Sequence, residues 1–213
     1  MAINLTPERA RIFRITHRDN VPWILKHGLH CSTSGVTDPN FVSIGNAELI
    51  ARRRHRPVPC RPYGMLDDYL PFYFTPHSPM MYNIKTGWGD IRQRCNDEIV
   101  ILVSSLKTLK DNGVTFLFTD RHAYLSAAQY YSKLEDLDQI DWPILQRRDF
   151  KSDPEDLDKK ERYQAEALIY RYAAIDSILG IVCYNEAVAS RVVREIKTQA
   201  LRIGVAIKPG WYF

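Results

Sequence analysis

The residues at 11–17, RIFRITH, alternate apolar and polar side chains, the period of a strand with one buried face. DNVPWILKHGL follows, and its spacing predicts a short helix with Asp19 or Asn20 as cap and Gly28 as stop. STSGVTDPNFVS (32–43) is rich in Ser, Thr, Gly and Pro and predicts a loop. NAELIARRRH (46–55) has helical character, which RPVPCRPYG ends. YLPFYFT (69–75) predicts a strand, then PHSPMMYNI a turn and a short helix. The apolar run EIVILVSSL (98–106) predicts a buried strand. VTFLFTD (114–120) predicts another, leading into a helix over RHAYLSAAQYYSKLEDL. QAEALIY (164–170) and ILGIVCY (178–184) complete the apolar strands. EAVASRVVREIKTQAL (186–201) is amphipathic, with Val188, Val192, Ile196 and Leu201 near one helical face, and VAIKPGWYF predicts a last strand.

Strands outnumber helices in this pattern and do not alternate strictly with them, so the expected class is α+β rather than doubly wound α/β. Neither GxGxxG nor GxxxxGK[ST] occurs, which removes the dinucleotide-binding and P-loop fingerprints. The chain has no internal repeat or low-complexity linker, and 213 residues suit one domain, 1–213, with a sizeable core.

Composition changes this picture little: 45% hydrophobic and 25% charged residues are ordinary for a globular chain. The net charge of +4 matters less than its clustering, since residues 52–61 hold five Arg and a His, a pattern suited to an anionic ligand. Twelve Tyr supply rings suited to stacking surfaces. Cys31, Cys60, Cys95 and Cys183 are far apart without metal-ligand spacing, so free thiols are expected and no metal. The N-terminus lacks a signal-peptide pattern, and no apolar run approaches the about 18 residues of a membrane span. A soluble, cytoplasmic protein is expected.

Candidate chemistry is spread over RITH (14–17), IGNAELIARR (44–53), YLPFYFTPHSPMMY (69–82), FTDRHA (118–123) and QAEALIY. Each has an ordinary alternative. His17 can cap the following helix, and the Arg run can be a solvated face. The FYF rings can be core, and Thr119 or Asp120 can cap a helix while Arg121 and His122 face a polyanion. Two Pro flanking HS in PHSPM fix a rigid turn at a strand end, a place to mould a pocket. Glu166 interrupts an apolar strand with an acid, and pattern alone leaves open whether it is solvent-facing or held at a core rim for chemistry.

Taken in order, RITHRDNVPWILKHGL, DYLPFYFTPHSPMMYNI, ILVSSL, FTDRHAYLS, LDQIDW, KERYQAEALIY and the terminal WYF resemble the DarT family of bacterial DNA ADP-ribosyltransferase toxins over nearly the whole chain. The resemblance implies an ADP-ribosyltransferase fold related to poly-ADP-ribose polymerase and diphtheria toxin, with a split antiparallel sheet and flanking helices that clasp NAD. It implies Glu166 as catalytic glutamate, Arg53 as essential arginine, and Arg14, Ile15, Thr16, Trp23 and Cys31 at the NAD site. An NAD-closing element at about 37–55 and a substrate-presenting loop at about 121–166 follow from it. Contacts to DNA are expected from His77, Met80, Arg121, His122, Arg147 and Arg148, with Tyr130 and Tyr131 nearby and the KER of residues 160–162 as a further candidate. This chain departs from the family in carrying Arg14 for His, His77 for Arg, and Ala167 for Phe.

The implied reaction transfers ADP-ribose from NAD to a base, most often thymidine, in single-stranded DNA. The implied partner is a macrodomain antitoxin, DarG, and no membrane is involved. A carboxylate suits such a reaction because positive charge builds on the ribose as nicotinamide leaves. Arg53 then positions Glu166 and NAD, because a guanidinium is a poor proton acceptor. Two other readings stand beside this one: the same fold acting on RNA, another base or protein, and a non-catalytic nucleic-acid-binding module built on the 52–61 cluster.

Overall fold

A computed structural model describes residues 3–213. Its strands are β1 (Arg11–His17), β2 (Leu29–His30), β3 (Tyr69–Tyr73), β4 (Ile99–Ser105), β5 (Phe116–Thr119), β6 (Tyr130–Tyr131), β7 (Glu166–Tyr170), β8 (Tyr172–Ala173), β9 (Gly180–Cys183) and β10 (Gly204–Ile207). Eight of them form one sheet in the order β10-β9-β4-β1-β3-β7-β5-β6, and β2 with β8 form a separate ribbon. Every neighbouring pair in the large sheet is antiparallel except β9 with β10. The expected strand-rich α+β class is what the chain adopts.

The sheet is two halves joined at one point. β1 runs beside β4 in full register from Arg11↔Ser105 to His17↔Ile99, and β3 beside β7 from Tyr69↔Tyr170 to Tyr73↔Glu166. Between β1 and β3 only Phe13↔Tyr73 pairs. Pro71 explains why the ladder stops. Its carbonyl accepts Nη1 of Arg14 at 2.7 Å, so its backbone polar edge faces β1, and on that edge proline offers no N–H. A proline is excluded from a fully paired central strand, and here it is tolerated because the sheet is parted on its β1 side. The Arg14 side chain takes up the carbonyl that the ladder leaves.

Alternation sends the two faces of the second half-sheet to different cores. Ala167 and Ile169 join Phe72, Phe116 and Phe118 in the main core, whereas Leu168 packs with Val58, Leu66, Tyr69 and Leu117 in a smaller one. Glu166 lies on the face of Leu168, at the strand end where this smaller core stops.

The helices are α1 (Val21–His27), α2 (Ala47–Arg53), α3 (Pro79–Thr86), α4 (Leu106–Asp111), α5 (Trp142–Arg147), α6 (Lys159–Arg162) and α7 (Glu186–Thr198). α2 starts at Asn46, whose Oδ1 accepts Leu49 N–H at 2.8 Å, and α3 starts at Ser78 with Pro79 in its first turn. α7 buries Val188, Val192 and Ile196 as the periodicity predicts, while Leu201 lies beyond its end.

Two expectations fail. Residues 121–137 form no α-helix: they hold β6 and a 3₁₀ turn at Leu134–Gln139. Their backbone groups are engaged elsewhere, Gln129 N–H with Asp120 Oδ1 at 2.9 Å and the Ala123 carbonyl with the Tyr130 hydroxyl at 2.6 Å. The last predicted strand ends at Ile207, and residues 209–211 make a 3₁₀ turn.

Gly28 ends α1 as expected, at φ +78, and a Cβ there would lie 2.7 Å from the Ala173 carbonyl oxygen in the β2–β8 ribbon. Gly35 has the same φ with open space around it. Left-handed backbone costs a residue with a Cβ about 1–2 kcal/mol, so Gly35→Ala is expected to lose that much in urea denaturation. Gly28→Ala is expected to lose more, because the clash adds to the strain; equal losses would contradict the close approach.

Candidate active site

Glu166 opens β7 with its side chain 2% exposed. Nη1 of Arg53, the last residue of α2, donates to its two oxygens at 3.3 and 3.0 Å. The Ala123 N–H donates to Oε1 at 3.1 Å. His122 Nδ1 lies 3.5 Å from the same oxygen but accepts the Tyr124 N–H at 3.2 Å. A ring nitrogen that accepts cannot also donate, so Arg53 and Ala123 carry the neutralisation. Burial alone would push the Glu166 carboxyl up from its ordinary value, but the Arg53 charge, with the Ala123 N–H, outweighs it. The carboxyl is held below its ordinary value of 4.5 and is ionised at neutral pH.

The strand start is fixed as firmly as the side chain. Glu166 N–H donates to Thr119 Oγ1 at 3.3 Å, and that hydroxyl donates to the Arg121 carbonyl at 2.6 Å. Thr119 thus joins β5, β7 and the following loop instead of capping a helix.

Arg53 keeps Nη2 buried without a partner, a donor free for an anionic or hydroxyl-bearing ligand. Arg14 lies close enough for burial and the Arg53 charge to bring its own value down to about 10, with Tyr73 opposing. Two guanidinium groups at the parting of the sheet suit the pyrophosphate and ribose of a dinucleotide. Burial, and then the Glu166 charge, raise the Tyr73 phenol well above its ordinary value, so it stays a neutral hydroxyl.

Thr16 is buried, and its Oγ1 accepts Nδ2 of Asn20 at 3.1 Å. Asn20 was expected only as a helix cap, yet its side chain makes no cap bond. Fully buried, it also donates to the Val42 carbonyl at 3.0 Å and accepts the Val42 N–H at 2.8 Å. It clips the 37–46 segment to the end of β1, and Arg94 Nη2 reaches the Ser43 carbonyl beside it at 3.4 Å. Ile15 is half-buried against the core. Trp23 stacks on His27 with centroids 4.7 Å apart. Cys31 is 3% exposed, its Sγ beside Thr33 Oγ1 at 3.3 Å, so it presents no open thiol to a ligand.

The expected DNA residues divide. Met80 and His122 line a cavity of about 320 Å³ with Tyr73, Leu49, Asn83 and Trp88. His77 does not face it: the ring is 3% exposed, held by Nε2 2.9 Å from the Gly210 carbonyl and packed edge-on against Phe213. It anchors the C-terminal segment, and the PHSP turn serves to start α3. Arg121 is engaged by Asp120 at 3.0 Å and Asp158 at 3.2 Å, and of the KER stretch Arg162 is held by Asp141, Asp156 and Asp158. Arg147 and Arg148 are exposed at the end of α5. The 52–61 cluster is no single basic face either. Arg52 pairs with Glu48, Arg53 is buried, and Arg56 donates to the Leu125 carbonyl at 3.0 Å, while Arg54 and Arg61 are exposed.

A split sheet with flanking helices and a buried, ionised glutamate at the parting is the arrangement of an ADP-ribosyltransferase. Solved structures share it. Thermus sp. 2.9 DarT in complex with ADP-ribosylated ssDNA superposes over 100% of both chains with a TM-score of 0.90 at 35% identity. The same protein in complex with NAD+ gives 0.86 at 36% identity over 97% of this chain and 99% of that one. Thermosipho africanus DarTG in complex with ADP-ribose, 23% identical, shares the fold over 95% of this chain and 51% of its own with a TM-score of 0.75. A DNA ADP-ribosyl transferase from Escherichia coli O127:H6 (strain E2348/69 / EPEC) is 52% identical over 210 residues, 99% of this chain and 96% of that protein. The family profile described as ssDNA thymidine ADP-ribosyltransferase, DarT, matches residues 13–213, and the chain belongs to this family.

Because the folded value of Glu166 is depressed, its contribution to stability is complete above 4.5 and is lost as pH falls through the lower folded value. Urea denaturation repeated at falling pH is expected to show wild type losing stability below that point more steeply than Glu166→Gln. Arg53→Ala, which strands a buried carboxylate, is expected to cost about 3–5 kcal/mol at neutral pH. Parallel pH curves would contradict the assignment.

Proposed function

We propose that this chain is an NAD-dependent mono-ADP-ribosyltransferase that modifies thymidine in single-stranded DNA, and that it is the toxin of a toxin–antitoxin pair. The observation that carries the reading is the carboxylate of Glu166, buried yet ionised against Arg53 at 3.0 Å. It stands beside a cavity that Tyr73 and His122 share with Met80 and Trp88. NAD supplies an ADP-ribosyl group whose ribose carbon becomes cationic as the bond to nicotinamide breaks.

Glu166 meets that charge with a fixed anion. The carboxylate is buried, so the attraction is worth far more than at a surface, and no reorganisation is needed at the moment of reaction. Arg53 has one arm on Glu166 and the other unpartnered, so it can hold the carboxylate and a substrate oxygen together. Residues 37–55 are proposed to close over NAD, a role supported by the Asn20 clip on Val42 and by α2 carrying Arg53.

On the acceptor side the attacking atom is the one ring nitrogen of thymidine that bears a proton. As it bonds to the cationic carbon its proton becomes strongly acidic, and Glu166, although a weak base, suffices to take it. Guanidinium groups keep their protons in proteins, so Arg53 positions and does not abstract. The base must leave its stack to reach the carboxylate. Residues from about 121 to 166 are proposed to present it. Their conformation is supported by the ion pairs of Arg121, Arg162 and Lys159 with Asp141, Asp149, Asp153, Asp156 and Asp158. Met80 and His122 are proposed to touch the base, and exposed Arg147 and Arg148 its flanking phosphates.

No helix among the described residues is long and apolar enough to cross a membrane, which agrees with action on DNA in the cytoplasm. An enzyme that modifies the DNA of its own cell requires a restraining partner, and a macrodomain antitoxin of the DarG kind is the proposed one. Mass spectrometry of a thymidine-containing oligonucleotide incubated with NAD and the chain is expected to show one ADP-ribose added. Glu166→Ala is expected to cut the rate by about 10²–10³ or more. No adduct on any single-stranded DNA would overturn the reading.

A further inference from the structure

We infer that Trp88 is a stacking platform for the nucleobase next to the one being modified. The inference rests on the reading of single-stranded DNA as acceptor. Trp88 is 71% exposed, a large apolar ring turned to solvent at the rim of the cavity that Tyr73 and His122 also line. Tyr73 is the register partner of Glu166, and His122 approaches its Oε1 at 3.5 Å, so the cavity that the indole rims is also walled by two neighbours of the carboxylate.

The ring is presented on a rigid mount. α3 ends at Gly87 in the left-handed region, φ 75, and the N–H groups of Gly87 and Trp88 both donate to the Asn83 carbonyl, at 2.8 and 3.2 Å. Gly89 and Asp90 continue left-handed at φ 68 and 59, so the chain turns back sharply beyond the exposed Trp88. On the far side Asn46 Nδ2 reaches the Gly89 carbonyl at 3.4 Å, while its Oδ1 caps α2. One amide therefore ties the Trp88 turn to the helix that ends in Arg53.

At about 320 Å³ the cavity is at the small end for ligand pockets, about 300–1,000 Å³, and has room for one extruded base. A base drawn out of a strand leaves its neighbour without a stacking partner, which costs a few kcal/mol. An indole face at the cavity mouth replaces that partner, and it accepts any base because every base has a π-face. Asn83 and Gln164 in the wall offer amides to base edges. The chemistry fits a nucleobase better than an aliphatic surface.

The test compares wild type, Trp88→Ala and Trp88→Phe on two oligonucleotides with a single thymidine, one flanked by ordinary nucleotides and one by abasic sites. On the ordinary strand Trp88→Ala is expected to raise KM for DNA about tenfold or more. The KM for NAD and kcat at saturating DNA should hold, and Trp88→Phe should retain most of the affinity. On the abasic-flanked strand Trp88→Ala and wild type should be equal. An unchanged KM on the ordinary strand, or the same loss on both strands, would overturn the inference while leaving the enzyme reading intact. Failure of wild type to modify any thymidine oligonucleotide would overturn the enzyme reading itself.

Discussion

The contact between Arg53 and Glu166 is the constraint on which the rest of the site depends. Burying a carboxylate without a partner costs several kcal/mol, so everything that places Glu166 at the start of β7 requires a cation and donors to meet it. α2 supplies the guanidinium from 113 positions away in sequence, and the turn after β5 supplies the Ala123 N–H. Register on β7 is therefore coupled to the position of α2 and to the course of the chain after Thr119. A shift in any of the three would strand a buried charge.

The parted sheet gives that contact its place. Pro71 stops the ladder between β1 and β3, Arg14 closes the exposed carbonyl, and the gap leaves a second guanidinium beside Arg53. Asn20 holds the segment leading to α2 by both backbone groups of Val42. Chain pieces without regular structure are thereby fixed by single buried amides and ion pairs, which is the economy expected where a ligand must enter between elements. The proposed chemistry uses this rigidity directly, since an anion that must already face the developing charge cannot be one that moves.

Much of the framework was legible in residue pattern. Arg11–His17 alternates as β1 does, the unbroken apolar run gives a wholly buried β4, and α7 buries the stripe that its periodicity marks. The missed helix at 121–137 shows the limit of local reasoning. Its composition permits a helix, but Ala123 and Gln129 give their N–H groups to Glu166 and Asp120, contacts that no local window contains. The Arg cluster is only partly one face for the same reason, because Arg52, Arg53 and Arg56 part toward Glu48, Glu166 and Leu125. His77 looked like a pocket residue between two prolines, and the C-terminal segment that covers it lies 133 residues on. Asn20 left no signal in spacing, since its partner Val42 sits in a loop. Pro71 did leave one: a proline inside an apolar strand announces an unpaired side. Pattern alone left Glu166 open, and the resemblance to the DarT family was what singled it out.

The central claim is that Arg53 and Glu166 act as one unit in transfer. The direct measurement is a double-mutant cycle on the rate of ADP-ribose transfer to a thymidine oligonucleotide, using Arg53→Ala, Glu166→Ala and both. Residues that act as a unit are grossly non-additive, so the double variant should be no slower than the worse single variant. Losses that multiply would mean that the two side chains work independently, and would contradict the account.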